Sequence, residues 1–197
     1  MEKKKTIKLY FDWPVHRDVP INTDGGKFGD PRDKGRRSHW GLDFNALVGS
    51  TVVASEKGVV VYSGERAGSI NGTNYGHTIV IDHAPELGAD NRHIYTLYAH
   101  LDKRSAYRGQ KVRKGDTVGI SGNSGTVAYY KKLNQSFHLH LEIIDADMGF
   151  DWGTGWPHDL HKEHRKDPKG YLGEVKTIEY DLSDLVGKEC FRGLRRF

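Results

Sequence analysis

The chain has one cysteine, Cys190, in 197 residues. An intrachain disulfide is therefore excluded, and so is a metal centre built on several thiolates. No segment approaches the roughly 18 apolar residues of a helical membrane span. The apolar stretch at residues 7–13 is interrupted by Lys8 and Asp12 and stopped by Pro14, unlike the hydrophobic part of a signal peptide. The metalloprotease motif H-E-x-x-H is absent, and His161-Lys162-Glu163-His164 has the wrong spacing for it. Ser124 and Ser136 stand in glycine-rich or loop-like surroundings and read as turn residues rather than nucleophiles. No basic and aromatic nucleic-acid motif occurs, and the Lys3-Lys4-Lys5 cluster is short.

What is present describes a globular chain. Hydrophobic residues make up 36% and charged residues 28%, enough for one domain, residues 1–197, whose core needs no disulfide. The net charge of +4 gives a basic surface that suits nucleic acid, anionic lipid or anionic wall polymers alike. The 24 glycines fall in turn-like clusters, which favours many short strands. Strand patterns run at 6–12, 51–54, 58–63, 77–83, 93–101, 117–121 and 137–144, with turn signals between them. Strands so close in sequence imply antiparallel hairpins and an all-β fold.

Three motifs carry the chemistry. In His138-Leu139-His140, strand alternation turns both imidazoles to one face and Leu139 and Leu141 to the other. In His39-Trp40-Gly41-Leu42-Asp43, the same even spacing puts His39 and Asp43 together, with Trp40, Leu42 and Phe44 opposite. Gly41 between them leaves room for an ion or a close backbone. Tyr98-Ala99-His100-Leu101 ends a third run and adds a histidine. Two histidines and one carboxylate with an open position form a ligand set found in catalytic zinc sites.

In this order, H-x-G-x-D, Y-x-H-L and H-x-H, the chain resembles the lysostaphin-type (LytM-domain) zinc metallopeptidases, which cut the peptide part of bacterial cell walls. Secondary matches support the resemblance: Phe28-Gly29, Gly49 to Ala54, Asn74-Tyr75-Gly76-His77, Gly115 to Gly119, Gly122 to Gly125, Asp167-Pro168 and Tyr171-Leu172. It covers approximately residues 13–172, with an N-terminal strand and a C-terminal extension packed on that core.

The resemblance implies antiparallel sheets around a central groove that holds the metal, with long connecting loops. It implies one Zn²⁺ per chain, held by His39, Asp43 and His140, with His100 and His138 as catalytic helpers. The implied reaction is hydrolysis of peptide bonds in the stem or cross-bridge of peptidoglycan. The alternative is a wall-binding or activating module of a phage or secretion apparatus that uses the fold without turnover. The expected partners are wall peptides, with no nucleic acid, and the expected state is a monomer. Action at the wall, in the periplasm or outside the cell, would follow lysis, phage delivery or secretion. With 38 residues before His39 that read as part of the domain, activity as synthesised is expected.

One stretch departs from the pattern. Residues 145–166 separate H-x-H from the final Asp-Pro and carry Trp152, Trp156, His158, His161 and His164. Trp152 and Trp156 are expected to bind substrate along one wall of the groove; the competing expectation is that both indoles fold back as a satellite core. The remaining histidines, His16, His77, His83 and His93, read as structural or surface residues.

Overall fold

Side chains after His138 alternate between two environments, and that alternation organises the molecule. Leu139, Leu141 and Ile143 are fully buried on one side; Ile144 and Ala146 are buried on the other, in line with His140 and Glu142. A strand buried on both faces belongs in the middle of a structure. The computed structural model describes residues 4–66, 75–126, 129, 131, 132, 134, 136–152 and 162–185. Trp156, His158, His161 and Cys190 lie outside the described residues.

Thirteen strands are present among the described residues: β1 (Lys5–Tyr10), β2 (Pro31–Arg32), β3 (Arg37–Ser38), β4 (Leu42–Phe44), β5 (Thr51–Val53), β6 (Gly58–Arg66), β7 (Gly76–Asp82), β8 (His93–Arg104), β9 (Lys111–Val112), β10 (Thr117–Ser121), β11 (Leu139–Ala146), β12 (Arg165–Lys166) and β13 (Val175–Tyr180). Nine form one sheet in the order β12-β11-β8-β7-β6-β9, with β4 added on β11 and β10 joining β8 to β5. All of these pairings are antiparallel, as the short glycine-marked turns require. The all-β class expected from sequence is the class observed. Among the described residues, no helix is long and apolar enough to cross a membrane.

Two of the pairings outside the pattern legible in sequence involve the first strands of the chain. β1 pairs with β13 across the length of the chain, Lys5 opposite Tyr180, and their Leu9 and Ile178 close a third apolar cluster with Phe11 and Ile143. β2 and β3 form a hairpin within what reads as loop before His39.

β8 contains a defect that matters for the site. On β7, His77 and Ile79 are two apart, whereas their partners Leu101 and Tyr98 are three apart. The extra residue is a bulge, and His100 within it has φ 58°, in the left-handed region. Tyr98 and Leu101 face the first apolar cluster, and Ala99 faces the second. Regular alternation would send His100 in with Tyr98. The bulge turns it to the opposite side.

Candidate metal centre

β4 lies antiparallel to β11 with Asp43 directly opposite His140, while Leu42 and Phe44 face Leu141 and Leu139 in the first apolar cluster. Opposed residues on one face have Cβ atoms about 5 Å apart, so the register alone brings two of the candidate ligands together. Gly41 permits the approach, since a methyl group there would strike the Leu141 carbonyl and the His140 ring. His39, held by backbone hydrogen bonds with Asp30 and Gly29, completes the group.

His39, Asp43 and His140 are all buried, and one donor atom of each converges. His39 Nε2 is 2.9 Å from His140 Nδ1 and 3.1 Å from Asp43 Oδ1, and His140 Nδ1 is 2.8 Å from the same oxygen. The other ring nitrogens fix the tautomers. His39 Nδ1–H donates to the Lys27 carbonyl at 3.0 Å, and His140 Nε2–H donates to Glu142 Oε1 at 3.1 Å. Two imidazole lone pairs and a carboxylate oxygen then face one another with no hydrogen between them. Such a triangle is repulsive unless a proton or a metal cation sits at it, and two imidazoles with a carboxylate are a donor set that fits a metal ion.

The electrostatics agree. Burial, the largest influence on Asp43, raises its pKa, but the His140 and His39 rings against its carboxylate outweigh it and hold the carboxyl well below the usual range. Burial pulls His140 down, yet the Asp43 and Glu142 carboxylates on either side of the ring prevail and push it up to about 9, so a proton takes the Nδ1 side when no metal does. Both shifts say the same thing: this point of the molecule stabilises positive charge.

The two remaining histidines face the same groove. His100 and His138 have ring centroids 4.6 Å apart, and His100 lies 5.8 Å from His140. His100 Nδ1–H donates to the Ser124 carbonyl at 2.7 Å, and His138 Nδ1–H to the Ser136 carbonyl at 2.9 Å. Among the described residues neither Nε2 atom has a hydrogen-bond partner, and that of His138 lies 3.9 Å from Asp43 Oδ1. Burial is the main cause that lowers both pKa values, that of His100 well below its ordinary value, where His138 and His140 add to the effect. The rings are therefore neutral at pH 7. Ser124 and Ser136 hold these rings through their backbone carbonyls, and the Ser124 hydroxyl is committed to the Leu101 carbonyl and the His77 N–H.

The groove has a volume of about 640 Å³ and brings all five expected residues to its walls. Several of its residues were not anticipated. Arg32, on the β2–β3 hairpin, donates to Asp43 Oδ2 at 3.1 Å and leaves Oδ1 for the converging triangle. Glu142 and Tyr75 stand behind His140. For Glu142 a signal existed, because it continues the even spacing of His138 and His140; for Arg32 nothing local marks the residue.

The expectation for Trp152 needs correction, while Trp156 lies outside the described residues. Trp152 does not line the groove. It is 4% exposed and packs with Tyr95 and Phe150 in the second apolar cluster, its ring 5.7 Å from that of Tyr95. The satellite-core alternative describes it, because on leaving β11 the chain carries Trp152 onto the apolar side of Ile144 and Ala146. Among the described residues, the indole that lines the groove is that of Trp40, expected to face away with Leu42; it stacks edge-on with Phe28 at 6.1 Å. Of the histidines read as structural, His77, His83 and His93 bond to Asp102, to Lys57 and Thr96, and to Asp82, away from the groove.

Comparison with known proteins adds three results. The chain is 36% identical over 106 residues to the peptidoglycan DD-endopeptidase ShyA of Vibrio cholerae and 34% identical over 106 residues to the DD-carboxypeptidase/endopeptidase Mpg of Neisseria meningitidis. Each match covers 54% of this chain and 20% of the relative, so the chain spans about a fifth of their length. Its fold matches the catalytic domain of lysostaphin from Staphylococcus simulans with a TM-score of 0.56 and 19% identity, over 80% of this chain and 94% of that domain. A family model matches residues 37–152, a stretch that takes in His39, Asp43, His100, His138 and His140, and the chain belongs to peptidase family M23.

Proposed function

We propose that this domain is a zinc-dependent endopeptidase that hydrolyses peptide bonds in the stem or cross-bridge of bacterial peptidoglycan, acting at the wall in the periplasm or outside the cell. The observation that carries the reading is the convergence of His39 Nε2, Asp43 Oδ1 and His140 Nδ1 beside two neutral imidazoles in an open groove. These three residues hold one Zn²⁺. When bound, zinc supplies a Lewis acid for a carbonyl and brings the pKa of water to about 7.

The chain's own groups do the rest. The bare Nε2 atoms of His100 and His138 face the groove, so between them they take the proton that the attacking water releases and return it to the leaving amine. Their carbonyl anchors keep each ring in the acceptor tautomer. Trp40 gives the groove an apolar face along which a peptide can lie. The names of the two wall-peptidase relatives support the substrate class.

The test is digestion of purified walls of several chemotypes, with products identified by mass spectrometry. New amino termini that vanish with a chelator and return with zinc are expected. Failure of zinc-loaded protein to release an amine from any chemotype would sink the proposal.

A further inference from the structure

Behind His140 lies a polar column that the reaction itself does not call for. Glu142 is fully buried, yet its carboxylate has three donors. Oε1 accepts from His140 Nε2–H at 3.1 Å and from the Tyr75 hydroxyl at 2.6 Å; Oε2 accepts from Arg165 Nε at 2.9 Å. The next residues on that face of β11, Ile144 and Ala146, are packed in apolar surroundings. A buried ion pair is commonly no more stabilising than apolar residues of the same size. Folding alone therefore does not account for Glu142 and Arg165.

Arg165 arrives by a detour. The chain leaves β11 at Ala146 and returns as the two-residue strand β12, antiparallel to β11, with Arg165 opposite Ile144 and Lys166 opposite Ile143. That return sets the guanidinium against Glu142, with only 10% of the Arg165 side chain exposed.

We propose that Arg165 is a positioning residue for the metal centre: it locks Glu142, and Glu142 in turn keeps His140 in the one tautomer and ring angle that aim Nδ1 at the ion. The proposal rests on the metal-site reading above. An imidazole has two neutral tautomers, and only the one with hydrogen on Nε2 leaves Nδ1 free as a ligand. A carboxylate on Nε2 selects that tautomer, but a carboxylate bound through one oxygen can still turn about its last torsion. Tyr75 on Oε1 and Arg165 on Oε2 stop that rotation. The guanidinium suits the task because its donors are fixed in a plane, which a lysine ammonium cannot reproduce. The chain's departure from β11 thus has a use at the back of the metal centre.

The test uses the full chain, stripped of metal and titrated with zinc against a competing chelator, and with Co²⁺ to read ligand geometry from its visible spectrum. Arg165→Met should weaken zinc on the order of 10-fold or more and alter the cobalt bands. Arg165→Lys should recover part of the loss, and Tyr75→Phe should show a smaller loss in the same direction. A purely structural role would lower the melting temperature of the metal-free protein and leave affinity and spectrum as in the parent; that result would overturn the proposal. Where Arg165→Met fails to fold, Tyr75→Phe decides by the same criterion. A parent protein that binds no zinc would refute the metal-site reading itself. A parent that binds zinc alongside variants that bind it equally well refutes only the role of Arg165.

Discussion

Each histidine of the groove uses one ring nitrogen for the site and commits the other to a fixed acceptor. For His39, His100 and His138 that acceptor is a backbone carbonyl; for His140 it is Glu142. The ring that differs is the one whose Nδ1, not Nε2, joins the converging triangle. The proposed division into ligands and helpers can be read by mutation. Asp43→Ala and His140→Ala should abolish tight zinc binding, since two protein ligands hold the ion poorly against water and chelators. His100→Ala and His138→Ala should retain zinc but lose turnover by about 10²-fold or more. Metal analysis after dialysis, paired with rates on purified walls, checks both; stoichiometric zinc in Asp43→Ala would remove that residue from the ligand set. The identities of these five residues are legible in sequence because even spacing on strands marks His39, Asp43, His138 and His140, and the order of the motifs marks His100. Their partners are not. Arg32 and Arg165 reach the carboxylates from residues 11 and 23 positions away, through a hairpin and a strand return that no local pattern announces.

At the scale of elements, the site depends on a close approach and on a defect. The close approach is that of β4 to β11, where Gly41 faces the His140 ring and the Leu141 carbonyl. Gly41→Ala should force the two strands apart, at a cost of about 1–3 kcal/mol in stability and a marked loss of zinc affinity. Denaturant melts and a zinc titration on the same variant test this, and a Gly41→Ala protein that is as stable and as tight for zinc as the parent would refute it. The defect is the bulge at His100. Alternation read from Tyr98-Ala99-His100-Leu101 assigns the histidine to the apolar side, and the motif resemblance alone brings it to the groove. The structure reconciles the two by a left-handed residue inside a strand. Sequence shows which residues prefer strands; it does not show where a strand slips by one, because the slip is decided by both neighbouring strands at once. The same reason hid β13, whose register with β1 closes a cluster built from opposite ends of the described chain.

The molecule as a whole should respond to pH through two histidines far from the groove, with opposite signs. His83 is 2% exposed; its Nδ1–H donates to the Lys57 carbonyl at 2.7 Å, and its Nε2 accepts from the Thr96 hydroxyl at 2.9 Å. Burial holds its pKa below the ordinary 6.5, despite the Lys57 carbonyl and the nearby carboxylates Asp82 and Glu56, which favour the charged form. In the unfolded chain this ring takes a proton near pH 6.5, while in the fold it stays neutral. The unfolded state then binds more protons, so this contribution is lost as pH falls below about 6.5. For His93, burial is again the largest influence and lowers the pKa, but the hydrogen bond and charge of Asp82, with the Gly88 carbonyl and Glu86, reverse the balance and raise it. Its Nδ1 lies 2.9 Å from Asp82 Oδ2. Here the folded state binds the extra proton, so the stabilisation is complete below about pH 6.5 and is lost as pH rises through the folded value. Melting temperatures of the parent, His83→Asn and His93→Asn from pH 5 to 9 test the pair, because subtracting each variant from the parent removes the contribution of the groove histidines. The gap between parent and His83→Asn should narrow on the acid side, and the gap between parent and His93→Asn on the alkaline side. Gaps that stay constant across the range would show that neither ring changes its proton affinity on folding.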